Sequence, residues 1–193
     1  MILGITGGTG CGKTTLLKVI EKMGGLVLDC DAIYHQLLTT DENLLTAIET
    51  RFPGTVENGQ LQRKKLGSIV FSDKNALLDL NKITHSAIKE EVLQRLQTAP
   101  KLAAIDAIAL FEGGLADLCD ITVAVTAPVE DRVLRLMNRD NITEDYARSR
   151  IAAQHGEAWF RQHCDCVLEN TGTEIQFHNK CVAFLRNQII IES

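Results

Sequence analysis

The chain has 193 residues, 45% of them hydrophobic, which suits one large domain or a core carrying insertions. A net charge of −5 argues against a protein that wraps nucleic acid, because that needs a basic face. No apolar run approaches the ~20 residues of a membrane span. The tail from Ile189 to Ile191 is only a short apolar cluster, and the N-terminus opens into a strand rather than an export leader.

In chain order, Ile2 to Ile5 is predicted as a first strand and Thr14 to Met23 as a helix. Between them lies Gly7-Gly8-Thr9-Gly10-Cys11-Gly12-Lys13-Thr14, which fits Gly-x4-Gly-Lys-[Ser/Thr], the P-loop. Such a loop turns successive backbone N–H groups toward one point, where the following helix adds partial positive charge. Lys13 is placed to reach the β- and γ-phosphates and the Thr14 hydroxyl to bind Mg²⁺, so a nucleoside triphosphate such as ATP is the expected ligand. Gly24-Gly25 ends the helix, and Leu26 to Asp29 is a buried strand parallel to the first. Asp29-Cys30-Asp31 follows. An extended backbone would set both acids toward the crevice as base and partner; alternatively Asp31 caps a helix beginning at Ala32.

Residues 35–99 are expected to form a helical insertion. Asp41 to Phe52, Arg63 to Phe71 and Asp73 to Gln97 have helical spacing, and Asn58-Gly59 marks a tight hairpin between them. His35 and His85 are its notable polar residues, each either a ligand contact or an ordinary helix histidine. Leu102 to Phe111 is predicted as one long buried strand that delivers Glu112 to the crevice, unless Glu112 is merely a turn acid before Gly113-Gly114. Ile121 to Val125 is a fourth strand, and Pro128 starts a helix carrying Arg132, Arg135 and Arg139 on one face. With Arg148 and Arg150 beyond the break at residues 140–143, this is either an ion-paired surface helix or a lid closing arginines over a phosphoryl group. Cys166 to Glu169 makes a fifth strand, and residues 174–189 a closing helix.

The six cysteines (Cys11, Cys30, Cys119, Cys164, Cys166 and Cys181) include no Cys-x-x-Cys pair. They are expected to be reduced thiols in a cytoplasmic protein, with Cys164-Asp165-Cys166 a strand start rather than a metal site. Cys11, beside Lys13 at a helix N-terminus, is expected to be the most reactive of the six.

The set of motifs resembles the dephospho-CoA kinase family over essentially the full length. Gly4 to Thr14 is similar to its opening Gly-[Leu/Ile]-Thr-Gly-Gly-x-Gly-Ser-Gly-Lys-[Ser/Thr], and Asp29-Cys30-Asp31 with His35 to its Asp-Ala-Asp-x-x-x-[Arg/His]. Leu110-Phe111-Glu112 resembles the end of its Pro-Leu-Leu-Phe-Glu motif, Arg135 to Asp140 with Arg150 and Gln154 its lid, and Asn170-x-Gly172 its terminal Asn-x-Gly. Cys11 stands where serine is usual, Cys30 for alanine, Gln62-Arg63 for Asp-Arg and His85-Ser86 for His-Pro, and residues 107–110 lack the proline.

The resemblance implies an α/β fold: a three-layer P-loop core with a parallel five-stranded sheet (1–34, 100–130 and 164–193), a helical acceptor-binding insertion (35–99) and a helical lid (131–163). It implies ATP-dependent phosphorylation of the ribose 3′-hydroxyl of dephospho-CoA, with ATP and dephospho-CoA as partners, Mg²⁺ as cofactor, and a monomer or small homo-oligomer. Under it Asp31 is the base and Lys13 and Arg139 stabilise the transferring charge. Gly8, Thr9, Gly10, Cys11, Gly12, Lys13, Thr14 and Thr15 hold the triphosphate, with Asn170 and Gly172 beside the adenine. His35, His85, Glu112, Arg135 and Arg150 are the candidate acceptor contacts.

Overall fold

Five short apolar segments pair into one parallel sheet, and the loops at its carboxyl ends converge on the glycine-rich turn. The computed structural model describes residues 1–191, with side chains to residue 188; the side chains of the Ile189–Ile191 cluster lie outside the described residues. β1 (Ile2–Thr6) enters the loop before α1 (Lys13–Lys22), and β2 (Leu26–Asp29) returns after a left-handed turn at Gly24. The insertion comprises α2 (Cys30–Thr40), α3 (Glu42–Arg51), a hairpin of β3 (Val56–Glu57) and β4 (Gln60–Leu61), α4 (Arg63–Val70) and α5 (Lys74–Leu96). Asn58 and Gly59 both take positive φ, as a two-residue hairpin turn demands. β5 (Ala103–Asp106) and β6 (Ile121–Thr126) follow, then α6 (Val129–Asp140), α7 (Glu144–Ala152), α8 (Glu157–His163), β7 (Cys166–Glu169) and α9 (Glu174–Ile191).

The strand order is β2-β5-β1-β6-β7. β1 therefore lies in the middle with later strands on both sides, and the connections leaving it and β5 open a crevice at their carboxyl ends. Strand alternation divides the core. Leu3, Ile5, Val123 and Val125 face α1 and α9, where Leu16, Ile20, Phe177 and Leu185 are buried. Leu28 and Ile105 face the insertion and pack with Ile33, Leu37, Ile48, Phe52 and Val92. Val133, Leu136, Ala147 and Ile151 form a small cluster of their own between α6 and α7.

Two local expectations are corrected. The long strand over residues 102–111 stops at Asp106. Beyond the bond from the Ala107 amide to the Ile5 carbonyl, β1 turns into the loop and offers β5 no further register. The chain then coils so that the amides of Leu115 and Ala116 reach the Leu110 carbonyl, and Leu110 and Leu115 return to the core. Ala107 and Leu110 of this turn are buried while Ile108 is exposed, and the run of apolar residues resembles a strand. Second, Asp29-Cys30-Asp31 is not extended: α2 begins at Cys30, and its cap is Asp29, which accepts the Ala32 amide at 3.0 Å. Residues 131–163, expected to be helical, carry most of α6, then α7 and the short α8.

Candidate active site

The loop is held open from outside by three distant elements. Arg132 Nε of α6 donates to the Thr9 carbonyl at 2.8 Å, Arg135 Nη1 to the Gly10 carbonyl at 3.2 Å, and Asn170 Nδ2 to the Cys11 carbonyl at 2.9 Å. Gln154 accepts the Thr9 amide at 2.8 Å and also Arg132 Nη2 at 3.3 Å. In a trans peptide the carbonyl and the next residue's N–H point opposite ways. Holding the Thr9 and Cys11 carbonyls outward therefore turns the Gly10 and Gly12 N–H groups inward, toward the cleft. The bracing leaves no room for side chains: a Cβ on Gly8 would sit 2.2 Å from Arg132 Nη2, and one on Gly12 2.3 Å from Asn170 Nδ2. Gly12 also has φ 97°, a conformation that glycine adopts without strain.

Inside the loop lies a cleft of about 680 Å³, lined by Gly8 to Thr14 together with Asp31, Asp106, Arg135, Arg139 and Arg150. Lys13 Nζ donates to the Gly7 carbonyl at 3.2 Å and lies 3.9 Å from Asp106 Oδ1. That separation is too long for a hydrogen bond, and Oδ1 is buried with no other partner. Burial raises the Asp106 carboxyl to about 6, with Asp29 and Asp31 adding to the rise and Lys13 opposing it. Asp106 was not singled out from the sequence, since it is a single acid within the otherwise apolar stretch Leu102 to Phe111. As the last residue of a strand beside β1, it takes the crevice position that had been expected for Glu112.

The other candidate residues separate into groups. Asp31 lines the cleft and also a second, smaller cavity of about 170 Å³ that includes Tyr34, His85 and Ile108. Arg139 forms two bonds to Asp140, at 2.7 and 3.0 Å, and Arg150 reaches the same carboxylate at 2.7 Å. The two guanidiniums hold Asp140 down at about 2. His35 lies outside both cavities with Nδ1 3.4 Å from Arg63 Nη2. Glu112 pairs with His155 at 2.8 Å, outside the cleft, and that histidine stacks on Trp159. Thr15 belongs to α1 and its amide bonds the Gly12 carbonyl. Asn170 is buried behind the loop, and Gly172 forms a left-handed turn before α9. Neither of these two lines the cleft.

Arg132 had been grouped with the lid arginines by its spacing, but it is the buried brace of the loop. The signal lay in its i, i+3 relation to Arg135, which turns both guanidiniums toward one neighbour. The expectation for Cys11 is also corrected. Its thiol is 2% exposed beneath the loop, and burial pushes it up despite Lys13. Cys164 and Cys166 flank Asp165, which accepts from the Thr122 amide and hydroxyl at 2.7 Å. Among the described residues no group of three or more His, Cys, Asp or Glu is arranged to hold a metal ion.

Comparison with known proteins agrees with this geometry. The family model described as "Dephospho-CoA kinase" matches residues 1–176. The chain belongs to the dephospho-CoA kinase family. A dephospho-CoA kinase of Geobacillus kaustophilus is 31% identical over 198 residues, covering 100% of this chain and 98% of the relative. The crystal structure of TT1252 from Thermus thermophilus superposes with a TM-score of 0.83 at 31% identity, covering 97% of each chain. A dephospho-CoA kinase structure from Campylobacter jejuni shares the fold, with a TM-score of 0.69 at 23% identity over 96% of this chain and 95% of that one. The three-layer α/β architecture and parallel five-stranded sheet are those of a P-loop kinase of this family.

Proposed function

We propose that the protein transfers the γ-phosphoryl group of ATP to the ribose 3′-hydroxyl of dephospho-CoA, releasing ADP and coenzyme A, the final step of coenzyme A synthesis. The observation that carries this reading is the placement of Asp31: one carboxylate borders both the cleft beneath the phosphate loop and the cavity beside it, within a full-length family match. An acceptor hydroxyl at that junction would meet both a base and a phosphoryl donor. The Asp31 carboxylate takes the hydroxyl proton, the 3′-oxygen bonds to the γ-phosphorus, and the bond to the bridging β–γ oxygen breaks with ADP as leaving group.

The loop amides and Lys13 bind the triphosphate, and Arg139, supported by Arg135 and Arg150, neutralises charge on the group in transfer. Thr14 and Asp106 fit a bound Mg²⁺: the loop hydroxyl is a ligand of the usual kind, and the buried, unpartnered Asp106 Oδ1 suits a coordinated water. When bound, Mg²⁺ would offset the negative charge of the β- and γ-oxygens. His85 in the second cavity, with His35 and Glu112 farther out, serves the acceptor side, and the Asn170-Thr171-Gly172 turn lies on the adenine side. The proposed division is a core of residues 1–34, 100–130 and 164–193, an acceptor insertion of 35–99 and a lid of 131–163. The separate apolar cluster between α6 and α7 supports these helices acting as one unit, anchored on the phosphate loop through Arg132, Arg135 and Gln154. We place the protein in the cytoplasm as a monomer or small homo-oligomer that does not act on nucleic acid or membrane; no helix of the described residues is long and apolar enough to cross a bilayer.

An ADP-release assay with dephospho-CoA, adenosine, AMP and shikimate as acceptors tests the reading. Turnover is expected with dephospho-CoA far above the other three; a preference for any of them overturns it. Asp31→Asn is expected to keep ATP affinity while kcat falls on the order of 10²-fold or more. Turnover within about threefold of wild type would remove Asp31 from the role of base.

A further inference from the structure

Resting on the function proposed above, we infer that the pantetheine arm of the acceptor lies along α2 and ends in an apolar groove between α2 and α4, roofed by Phe71. The argument starts from the second cavity, where Asp31 fixes the reacting hydroxyl. Its wall includes Tyr34, one turn farther along α2. Tyr34 also lines a third hollow, of about 220 Å³, with Leu38, Leu61, Leu66, Val70 and Phe71. One half-buried tyrosine thus joins the cavity of the reacting hydroxyl to an apolar groove.

Helix geometry supplies a ruler. Asp31, Tyr34 and Leu38 lie three and then four residues apart, on one face of α2, and at about 1.5 Å per residue the span from Asp31 to Leu38 is roughly 10 Å. Dephospho-CoA has the matching order of parts: a ribose hydroxyl, then a 5′-diphosphate, then a flexible arm with a gem-dimethyl group and a thiol end. The anionic middle part needs a cation between the two apolar stations. Arg63 lines the groove at that level, and its guanidinium stands 3.4 Å from His35 one turn beyond Asp31. Beyond it the floor is built from Leu38, Leu66 and Val70, all under 8% exposed, while the Phe71 ring above is 86% exposed. A phenyl ring left in water beside a formed apolar hollow gains by closing on an apolar chain. Gly67 is part of the groove wall: a Cβ there would stand in ordinary contact with the Phe71 ring at 3.5 Å, and a longer side chain would occupy the hollow.

Steady-state kinetics on the whole protein with two variants decide the matter. Phe71→Ser removes the roof from an exposed position, and Gly67→Leu fills the groove while keeping Phe71. Both are expected to raise KM for dephospho-CoA about tenfold while KM for ATP moves less than about twofold. 4′-Phosphopantetheine, which carries the arm and one phosphate but no adenosine, is expected to compete with dephospho-CoA and not with ATP. Its binding to each variant, measured by calorimetry, is expected to weaken by a similar factor. Unchanged KM for dephospho-CoA in both variants overturns the arm site and leaves the proposed function standing. Competition of 4′-phosphopantetheine with ATP also overturns it. If the wild type fails to phosphorylate dephospho-CoA, the proposed function falls; calorimetry with 4′-phosphopantetheine on wild type and variants then still decides the groove, unequal affinities upholding it and equal ones rejecting it.

Discussion

Asp106 holds a carboxylate where burial works against its charge, and the consequence is a pH dependence of stability with a defined sign. Its folded value of about 6 lies above the ordinary 3.8, so between those values the native state holds a proton that the unfolded chain has lost. The ligand-free protein is therefore expected to lose stability as pH rises from about 4 to about 6, by on the order of 3 kcal/mol at most, and to level off above. Asp106→Asn should abolish that slope and melt higher than wild type at pH 7, while turning over more slowly because the amide offers no negative charge to the proposed Mg²⁺. Thermal melts of both proteins across pH 4–8 check this; parallel curves would show that burial of Asp106 carries no cost. Cys11 is the opposite case, a group whose burial removes its reactivity. Iodoacetamide with peptide mapping is expected to label the partly exposed Cys164 and Cys166 before Cys11, and Cys11 only on unfolding. Fast labelling of Cys11 that Mg²⁺-ATP blocks would restore the reactive-thiol reading.

At the scale of elements, the acids after β2 divide the labour. Asp29 caps α2 and Asp31 faces the cleft, so Asp29→Ala should cost about 1 kcal/mol of stability. Asp31→Ala should leave the denaturation midpoint nearly unchanged and remove activity. A melting loss confined to Asp31→Ala would reverse the assignment. The same stretch shows what was legible in the chain. The phosphate loop was readable because its signal is local: eight consecutive residues carry both the conformation and the chemistry. The five strands were readable from apolar runs, and the hairpin from Asn58-Gly59. The end of β5 was not, because Ala107 to Leu110 are as apolar in a turn as they would be in a strand, and Asp106 was hidden with it. Nor could spacing assign Arg132, Gln154 and Asn170 to the loop, for their partners lie more than 100 residues away in sequence.

For the whole molecule the question is how the proposed lid engages. Arg139 and Arg150 are held by one carboxylate, Asp140, and Arg139 is well exposed to solvent. Exposed pairs of this kind contribute little to stability, so exchanging Asp140 for a triphosphate is an inexpensive rearrangement. Arg139→Ala should therefore fold and melt like wild type while kcat falls by a factor on the order of 10³. A variant that instead melts well below wild type with normal turnover would make Arg139 a structural residue. The arms of the lid also meet the rest of the molecule at Glu112 and His155, and the Phe111 ring sits edge-on to Trp159 of α8.

The bracing of the phosphate loop has a consequence in the time course of synthesis. The loop precedes its braces in the order of synthesis: the carbonyl of Cys11 waits for an asparagine 159 residues later. At translation rates of about 5–20 residues per second, that interval is on the order of 8–30 s. Arg132 follows Thr9 by 123 residues and Gln154 by 145, so the braces arrive in turn and the set is complete only with Asn170. A nascent chain that stops short of Asn170 therefore carries an incompletely braced loop and is expected to bind ATP less tightly than one that includes it.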